Sequence, residues 1–423
     1  MGVYLNSKSA YGQFRKDRSS VYYVDKTDIL AELVPAVEAG AEHGSMDSGS
    51  RYIAVTRPRC FGKTVMANMI ASYFGKGVDS DKTFQELKVS QYEWYSRHLN
   101  KHNVIHIVFS DMPDDVTSYR QYIDRIKKRL VGDLIKAYPD AGIGTDYAVW
   151  DAFQNVYEYC GEESFISVLD EWDSIFHKNF MSDTDKASYL EFLKNMLKDK
   201  PYVDLAYMTG VLPISKYSSG SGLNMFVEYS MTNQTRFSEY FGFTDEEVDI
   251  LYDRCRQIEK SPQITRDGLE LWYDGYQTAA GTKLYNPRSV IVALTNNRLG
   301  NYWTSSGPYD EIFYYISANV DMVKDEIALL VADNPVPAKI QEYAAVAMEF
   351  KTRDEILSAM VVYGFLNYSD GYVSIPNKEL MDRFAEVVQR ESSMGNVYKL
   401  TKESGRMLEA TKRGDTDTMQ EIM

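Results

Sequence analysis

The chain has 423 residues, enough for two or three domains, with 44% hydrophobic and 13% aromatic content and 33 tyrosines. Such totals describe a globular protein with large cores and exclude a low-complexity or disordered chain. Lysine and arginine number 46 against 61 aspartates and glutamates, a net charge of −15 that counts against a broad nucleic-acid footprint while leaving room for a local basic groove.

Three cysteines, Cys60, Cys160 and Cys255, are widely spaced and odd in number, so they form no disulfide framework and point to a reducing compartment. The first twenty residues lack the apolar centre of a secretory signal, and no run approaches the length of a membrane span. A soluble, cytoplasmic protein without a membrane partner is the expectation.

In chain order, Val21-Tyr-Tyr-Val-Asp-Lys-Thr27 precedes an amphipathic helix through Ile29, Leu30, Leu33 and Val37. Gly40 to Ser50 is polar and glycine-rich and reads as a loop. Tyr52 to Val55 then reads as a buried strand. It breaks into a tight loop and restarts as a helix spaced by Val65, Met66, Met69, Ile70, Tyr73 and Phe74.

That loop ends in Gly62-Lys63-Thr64, the closing half of a phosphate-binding loop. Gly62 lets backbone amides face a phosphate, Lys63 reaches the β- and γ-phosphates, and Thr64 puts a hydroxyl on Mg²⁺ at a helix N-terminus. The usual pattern has a glycine five positions before Gly62, where this chain has Arg57. Residues Arg57, Pro58, Arg59, Cys60, Phe61, Gly62, Lys63, Thr64 and Val65 together form the candidate phosphate cradle. The competing reading is an ordinary surface turn between strand and helix.

A second strand spans Val104–Phe109, followed by long amphipathic helices near Val116–Lys136 and Ala148–Cys160. Phe165-Ile-Ser-Val-Leu169 has almost no polar alternation, as suits a strand covered on both faces, and it runs into Asp170-Glu171-Trp172-Asp173. An apolar strand ending in Asp-Glu is the second element of a nucleotide site. Asp170 would hold Mg²⁺, directly or through water, and Glu171 would polarise the attacking water. A helix near Asp185–Lys198 leads to a strand at Val203–Met208, ending in Thr209 at a sensor position, and a further strand is read at Met225–Tyr229. One complete strand lies between the two motifs in the sequence, which matches the ASCE division of P-loop ATPases. The fold class is therefore α/β, a P-loop parallel sheet flanked by helices.

From about Phe237 the pattern turns helical, opening on Thr244 as a cap with acids in the first turn. Trp272, Tyr273 and Tyr276 read as a small aromatic core beside a turn at Gly275. Asp370-Gly371, between two β-rich runs and between two helices, signals a hairpin and a winged-helix-like unit. The expected domains are 1–235 for the ATPase core, 236–310 for a helical lid, 311–390 for the winged-helix-like region and 391–423 for a linker.

Several pieces together carry a likeness to a known family. They are Tyr23–Thr27, Thr56–Thr64, Leu169–Asp173, Thr209–Lys216, Ser221–Asn224, Phe241–Val248, Trp272–Tyr276, Tyr285–Arg288 and Ile375–Asn377, in collinear order. The chain resembles the bacterial AAA-ATPase-like family, ATP-binding proteins usually fused to a PD-(D/E)xK nuclease-like domain. In that family the phosphate loop looks like T-R-P-R-R-F-G-K-[ST], so Arg57 is the family form, while Cys60 stands where a second arginine is usual. The resemblance implies ATP and Mg²⁺ as cofactors, with Tyr23 and Asp25 near the nucleotide base. It also implies that a linker such as Met407–Asp415 leads into the nuclease-like domain, which this chain is expected to lack. Glu349-Phe-Lys351 matches the letters of a nuclease signature but lies in a helical pattern.

The reading is thus an ATP-binding protein with slow Mg-dependent hydrolysis, in which Lys63, Glu171 and Thr209 are catalytic and Thr64 and Asp170 hold the metal. Lys216 and Arg236 are candidates for the charge that stabilises the transferring phosphoryl group. Two rivals stand beside it: a nucleotide-gated scaffold without useful turnover, and a nucleic-acid-binding module serving a nuclease in trans. His98, His102 and His106, spaced by four, suggest a metal site, but the strand over His106 should split them between elements.

Overall fold

Strands with no polar face must be covered on both sides, and the sheet of this chain is built that way. The computed structural model describes residues 2–41, 51–214, 222–232, 234–259, 261–304, 319–340, 350–390, 407, 410–411 and 413–422. Its packing divides into two units, one of Met1–Arg57 with Gly62–Ser230 and one of Pro58–Phe61 with Met231–Met423.

The first unit holds a five-stranded parallel sheet of β1 (Tyr52–Thr56), β2 (Asn103–Val108), β3 (Phe165–Asp170), β4 (Val203–Gly210) and β5 (Val227–Tyr229), in the order β2-β3-β4-β1-β5. Every residue of β1, β3 and β4 is buried, which is why they read as unbroken apolar runs. Strand β4 lies in space between β1 and β3, so the two motif strands are not neighbours. The outer strand β2 is covered at its edge. Leu5 bridges Ile105, the Val104 amide donates to Asn6 Oδ1, and Asp133 accepts from the amides of Tyr4 and Leu5.

The helices around the sheet include α1 (Lys8–Arg18), α2 (Ile29–Ala41) and α3 (Lys63–Phe74). Others span Tyr119–Ala137, Val149–Tyr159 and Asp183–Leu197. Their starts follow local chemistry: Ser118 caps one, and Ser182 with Asp185 forms a capping box on another. The abundant tyrosines fill the core with rings and give their hydroxyls to backbone carbonyls: Tyr52 to Leu197, Tyr122 to Phe109, Tyr189 to Trp172 and Tyr202 to Met196.

The second unit is mainly helical, with helices at Asp245–Ile258, Arg266–Tyr273, Pro287–Asn296, Lys324–Val331, Arg353–Val362 and Lys378–Arg390. Thr244 caps the first of these as the sequence suggested, and Glu247 completes a capping box with it. A short hairpin, β6 (Tyr276–Gln277) with β7 (Lys283–Leu284), comes after the buried Tyr273 and the left-handed Gly275. A three-stranded antiparallel sheet has the order β8 (Val336–Pro337), β10 (Tyr372–Ser374), β9 (Asn367–Ser369). Its hairpin turns at Asp370 and Gly371, both with positive φ (51° and 87°), as an Asp-Gly turn requires. Glu379 is its internal hub, accepting from Ser289 Oγ and from the amides of Trp303 and Thr304.

Candidate nucleotide site

Within the first unit, the carboxyl ends of β1, β3 and β4 carry the candidate residues. Gly62 caps α3 with φ of 88°, a left-handed conformation that costs a glycine little. A Cβ at Gly62 would meet nothing within 4 Å, so open space lies beside the first amides of α3. Lys63 is buried, and its ammonium donates to the Arg57 carbonyl at 2.9 Å. Thr64 and Val65 face solvent at the start of the helix.

Asp170 closes β3 and is fully buried. Its Oδ1 accepts from the Thr209 hydroxyl and from the Glu171 amide, the latter at 3.1 Å. Its Oδ2 is buried without a hydrogen-bond partner. Desolvation pushes the carboxyl above the usual aspartate range, opposed in turn by the hydroxyls of Thr209 and Thr64 and by the Lys63 charge. Five expected residues, Lys63, Thr64, Asp170, Glu171 and Thr209, therefore share one end of the sheet. Glu171 has a positive φ of 53°, an uncommon conformation for a residue with a side chain.

A buried acceptor with no donor is what a bound divalent cation would satisfy. One carboxylate and one hydroxyl suit Mg²⁺, which keeps several waters and takes further oxygens from phosphates. The residues present fit Mg²⁺ and a nucleotide phosphate chain. Among the described residues, no group of three or more His, Cys, Asp or Glu side chains is arranged to hold a metal by itself.

Other expected residues sit differently. The Arg57 guanidinium turns inward, donating to the carbonyls of Thr56 (2.8 Å) and Tyr229 (2.7 Å). Its side chain ties the loop start to β5. Pro58–Phe61 are grouped with the second unit, where Phe61 accepts from the Gly242 amide and stands edge-on to Tyr276 at 5.0 Å. Arg59 and Cys60 are half-buried, and Cys60 is left-handed with φ of 67°.

Tyr23 packs edge-on against Phe14, and the Asp25 carboxylate accepts from the amides of Thr27 and Lys88. Arg236 stacks over the Phe237 ring, while Lys216, Ser221 and Glu349 lie outside the described residues, as does most of the Gly40–Ser50 loop. His98 and His102 pair through ring nitrogens at 3.0 Å, with Glu38 on the far side of His98, and His106 is in β2.

Two carboxylates escape a reading of the sequence alone. Asp173 is buried and accepts from the amides of Val211 (3.0 Å) and Leu212 (2.7 Å). Glu228 accepts from the Ile214 amide at 3.1 Å. The only signal for Asp173 is a second acid just past the Asp-Glu pair, and nothing local marks Glu228.

No helix among the described residues is long and apolar enough to cross a membrane. No curated protein matches the chain. Two solved structures resemble it across most of its length. The crystal structure of Cdc6p from Pyrobaculum aerophilum has 14% identity and a TM-score of 0.33, over 96% of this chain and 100% of that one. The Aeropyrum pernix ORC2 protein, solved as ADPNP–ADP complexes, has 13% identity and a TM-score of 0.39, over 90% and 97%. Likeness at this level carries no functional weight. A family model does match, described as a predicted AAA-ATPase and covering residues 9–219, from α1 past the end of β4. Through those residues the chain belongs to the predicted AAA-ATPase family.

Proposed function

We propose that the first unit binds ATP with Mg²⁺ and hydrolyses it slowly, and that nucleotide state is coupled to the second unit or to a partner. The observation that carries the reading is the meeting of Lys63, Thr64, Asp170, Glu171 and Thr209 at adjacent carboxyl strand ends, with Asp170 Oδ2 buried and unbonded. In a parallel sheet this edge is where ligands bind.

The chain's own groups divide the work. Amides at the start of α3 and the space beside Gly62 cradle phosphate oxygens, and the helix dipole favours their charge. Lys63 offsets negative charge on the β- and γ-phosphates. Its bond to the Arg57 carbonyl holds the ammonium at the loop. Thr64 and Asp170 would hold Mg²⁺, which supplies charge neutralisation along the phosphate chain. Glu171 orients and polarises the attacking water from the residue next to Asp170. Thr209 fixes the Asp170 carboxylate by donating to it. Phosphoryl transfer needs positioning and electrostatics more than strong nucleophilicity, which matches this set.

The proposed architecture keeps a helical lid at 236–310 and a winged-helix-like region at 311–390. Support for the latter is the order helix, hairpin, helix over Arg353–Arg390 with β8 as a third strand. The test is nucleotide titration of the full chain. Lys63→Ala should lower ATP affinity by at least about tenfold. Unchanged affinity would sink the reading.

A further inference from the structure

Resting on that nucleotide site, we propose that Asp173 and Glu228 are its positioning residues: two carboxylates that hold the segment Val211–Ile214, and with it the Thr209 strand end, by backbone amides. The segment comes directly after β4 and lies outside every described strand and helix. Buried amides there need acceptors. Val211 and Leu212 donate to Asp173 Oδ2 at 3.0 and 2.7 Å, Pro213 has no amide proton, and Ile214 donates to Glu228 Oε1 at 3.1 Å. Every amide donor of the segment thus ends on a carboxylate, and bonds to a charged acceptor are the strong kind.

The two carboxylates come from the elements that flank the site. Asp173 stands three residues beyond Asp170, in the turn that leaves β3. Glu228 lies on β5 and also accepts from the Thr56 hydroxyl at the end of β1, at 3.4 Å. Further bonds bind the same ends together. The Trp172 amide donates to the Thr209 carbonyl at 3.1 Å, and the Arg57 amide donates to the Gly210 carbonyl at 3.2 Å. Gly210 shows how close the approach is, because a Cβ there would fall 2.5 Å from the Trp172 ring and 2.7 Å from Asp173 Oδ1. The ends of β1, β3 and β4 are therefore knitted through 211–214. Asp170 and Thr209 keep their mutual geometry because the chain on either side of them is clamped.

Loosening this clamp should disturb the placement of Asp170, one of the two residues that would hold Mg²⁺, and spare the phosphate cradle, which rests on Gly62 and Lys63. Asp173→Asn keeps the volume and one acceptor oxygen, removes the charge, and turns an amide group toward two N–H donors. Binding of ATP to the full-length variant and to the unaltered chain is to be measured by calorimetry, in EDTA and in excess Mg²⁺, alongside phosphate release. The expected result is metal-free affinity within about twofold of the unaltered chain, with the gain from Mg²⁺ cut about fivefold or more and turnover about tenfold or more. Glu228→Gln, at a more exposed site, should move the same two quantities in the same direction by less, and it provides the answer if Asp173→Asn does not fold. An undiminished Mg²⁺ gain in a folded variant overturns the proposal. So does equal weakening of metal-free and Mg²⁺-supported binding, which is what a general packing defect produces. If the unaltered chain itself gives a flat ATP titration, the nucleotide reading has failed, and the positioning role falls with it.

Discussion

Replacing Thr209 by valine removes one hydroxyl from the interior at almost constant shape, so the consequence can be worked from its hydrogen bonds. That hydroxyl donates to Asp170 Oδ1, leaving the Glu171 amide as the other donor to that atom. Asp170 Oδ2 is already buried and unbonded, so the variant strips a buried carboxylate of half its hydrogen bonds to Oδ1. A charged acceptor left short of a donor costs about 1–3 kcal/mol. The penalty has a pH signature. Burial already raises the Asp170 carboxyl above its ordinary 3.8, and Thr209 is the first of the groups opposing that rise. A raised carboxyl contributes stability that is present below pH 3.8 and lost as pH climbs through the folded value. Thr209→Val raises the folded value further, so its cost should be greatest where Asp170 is charged and shrink as falling pH protonates the carboxyl. Urea unfolding followed by circular dichroism at about pH 7 and about pH 5 measures this, provided the m-value is unchanged. Mg²⁺ with ATP should recover part of the loss by satisfying the carboxylate. A destabilisation equal at both pH values, or absent at the higher one, would refute the assignment of the hydroxyl to a charged Asp170.

Glu171→Gln should leave ATP affinity within about threefold while lowering steady-state phosphate release about a hundredfold or more. Equal turnover would remove Glu171 from catalysis. His102 and His106 are both held down to about 4 by burial, with the charge of His98 adding to the effect at His102. The unfolded chain takes up those protons first, so stability present above about pH 6.5 should fall toward about pH 4 by about 3 kcal/mol per ring. Asp204, pushed up to about 6 by burial, offsets part of that fall, and His106→Gln should flatten it in chemical unfolding measured across the range. In the second unit, Glu379→Ala strands Ser289 and two backbone amides inside a packed core, at a cost of about 3 kcal/mol. Proteolysis of the second unit at increasing urea reads this directly, and an unchanged midpoint would show that Glu379 is dispensable.

Much of the first unit is legible in the sequence because its signals are local. Buried parallel strands betray themselves by missing polar alternation, and Phe165–Leu169 does so one residue short of the observed strand. The cap at Thr244 and the Asp370-Gly371 turn depend on two or three adjacent residues, so spacing alone reveals them. Strand ends are less clear: β4 runs on to Gly210, beyond the expected Met208, because it pairs with β1 as far as Thr56. The short β5 begins at Val227, where its pairing to β1 begins, and that pairing is invisible in the local pattern.

Arg57 shows the limit most sharply. Nothing in its place at the head of a glycine-type loop announces that its guanidinium reaches Tyr229, a partner 172 residues away. The packing of Tyr23 on Phe14 and the Asp25 bonds to the amides of Thr27 and Lys88 are likewise not marked in the local pattern.

The sequence by itself determined the residue types of the proposed site, Gly62-Lys63-Thr64 and Asp170-Glu171, since phosphate and metal chemistry would restrict which side chains serve. It also determined which runs had to be buried. Only the tertiary structure decided that β4 would lie between the two motif strands, so that Thr209 could bond to Asp170. It alone decided that Asp173 and Glu228 would take the amides of 211–214. Side-chain chemistry is written residue by residue. The acceptor that a buried amide finds depends on which strands become neighbours, and that is settled when the whole sheet assembles.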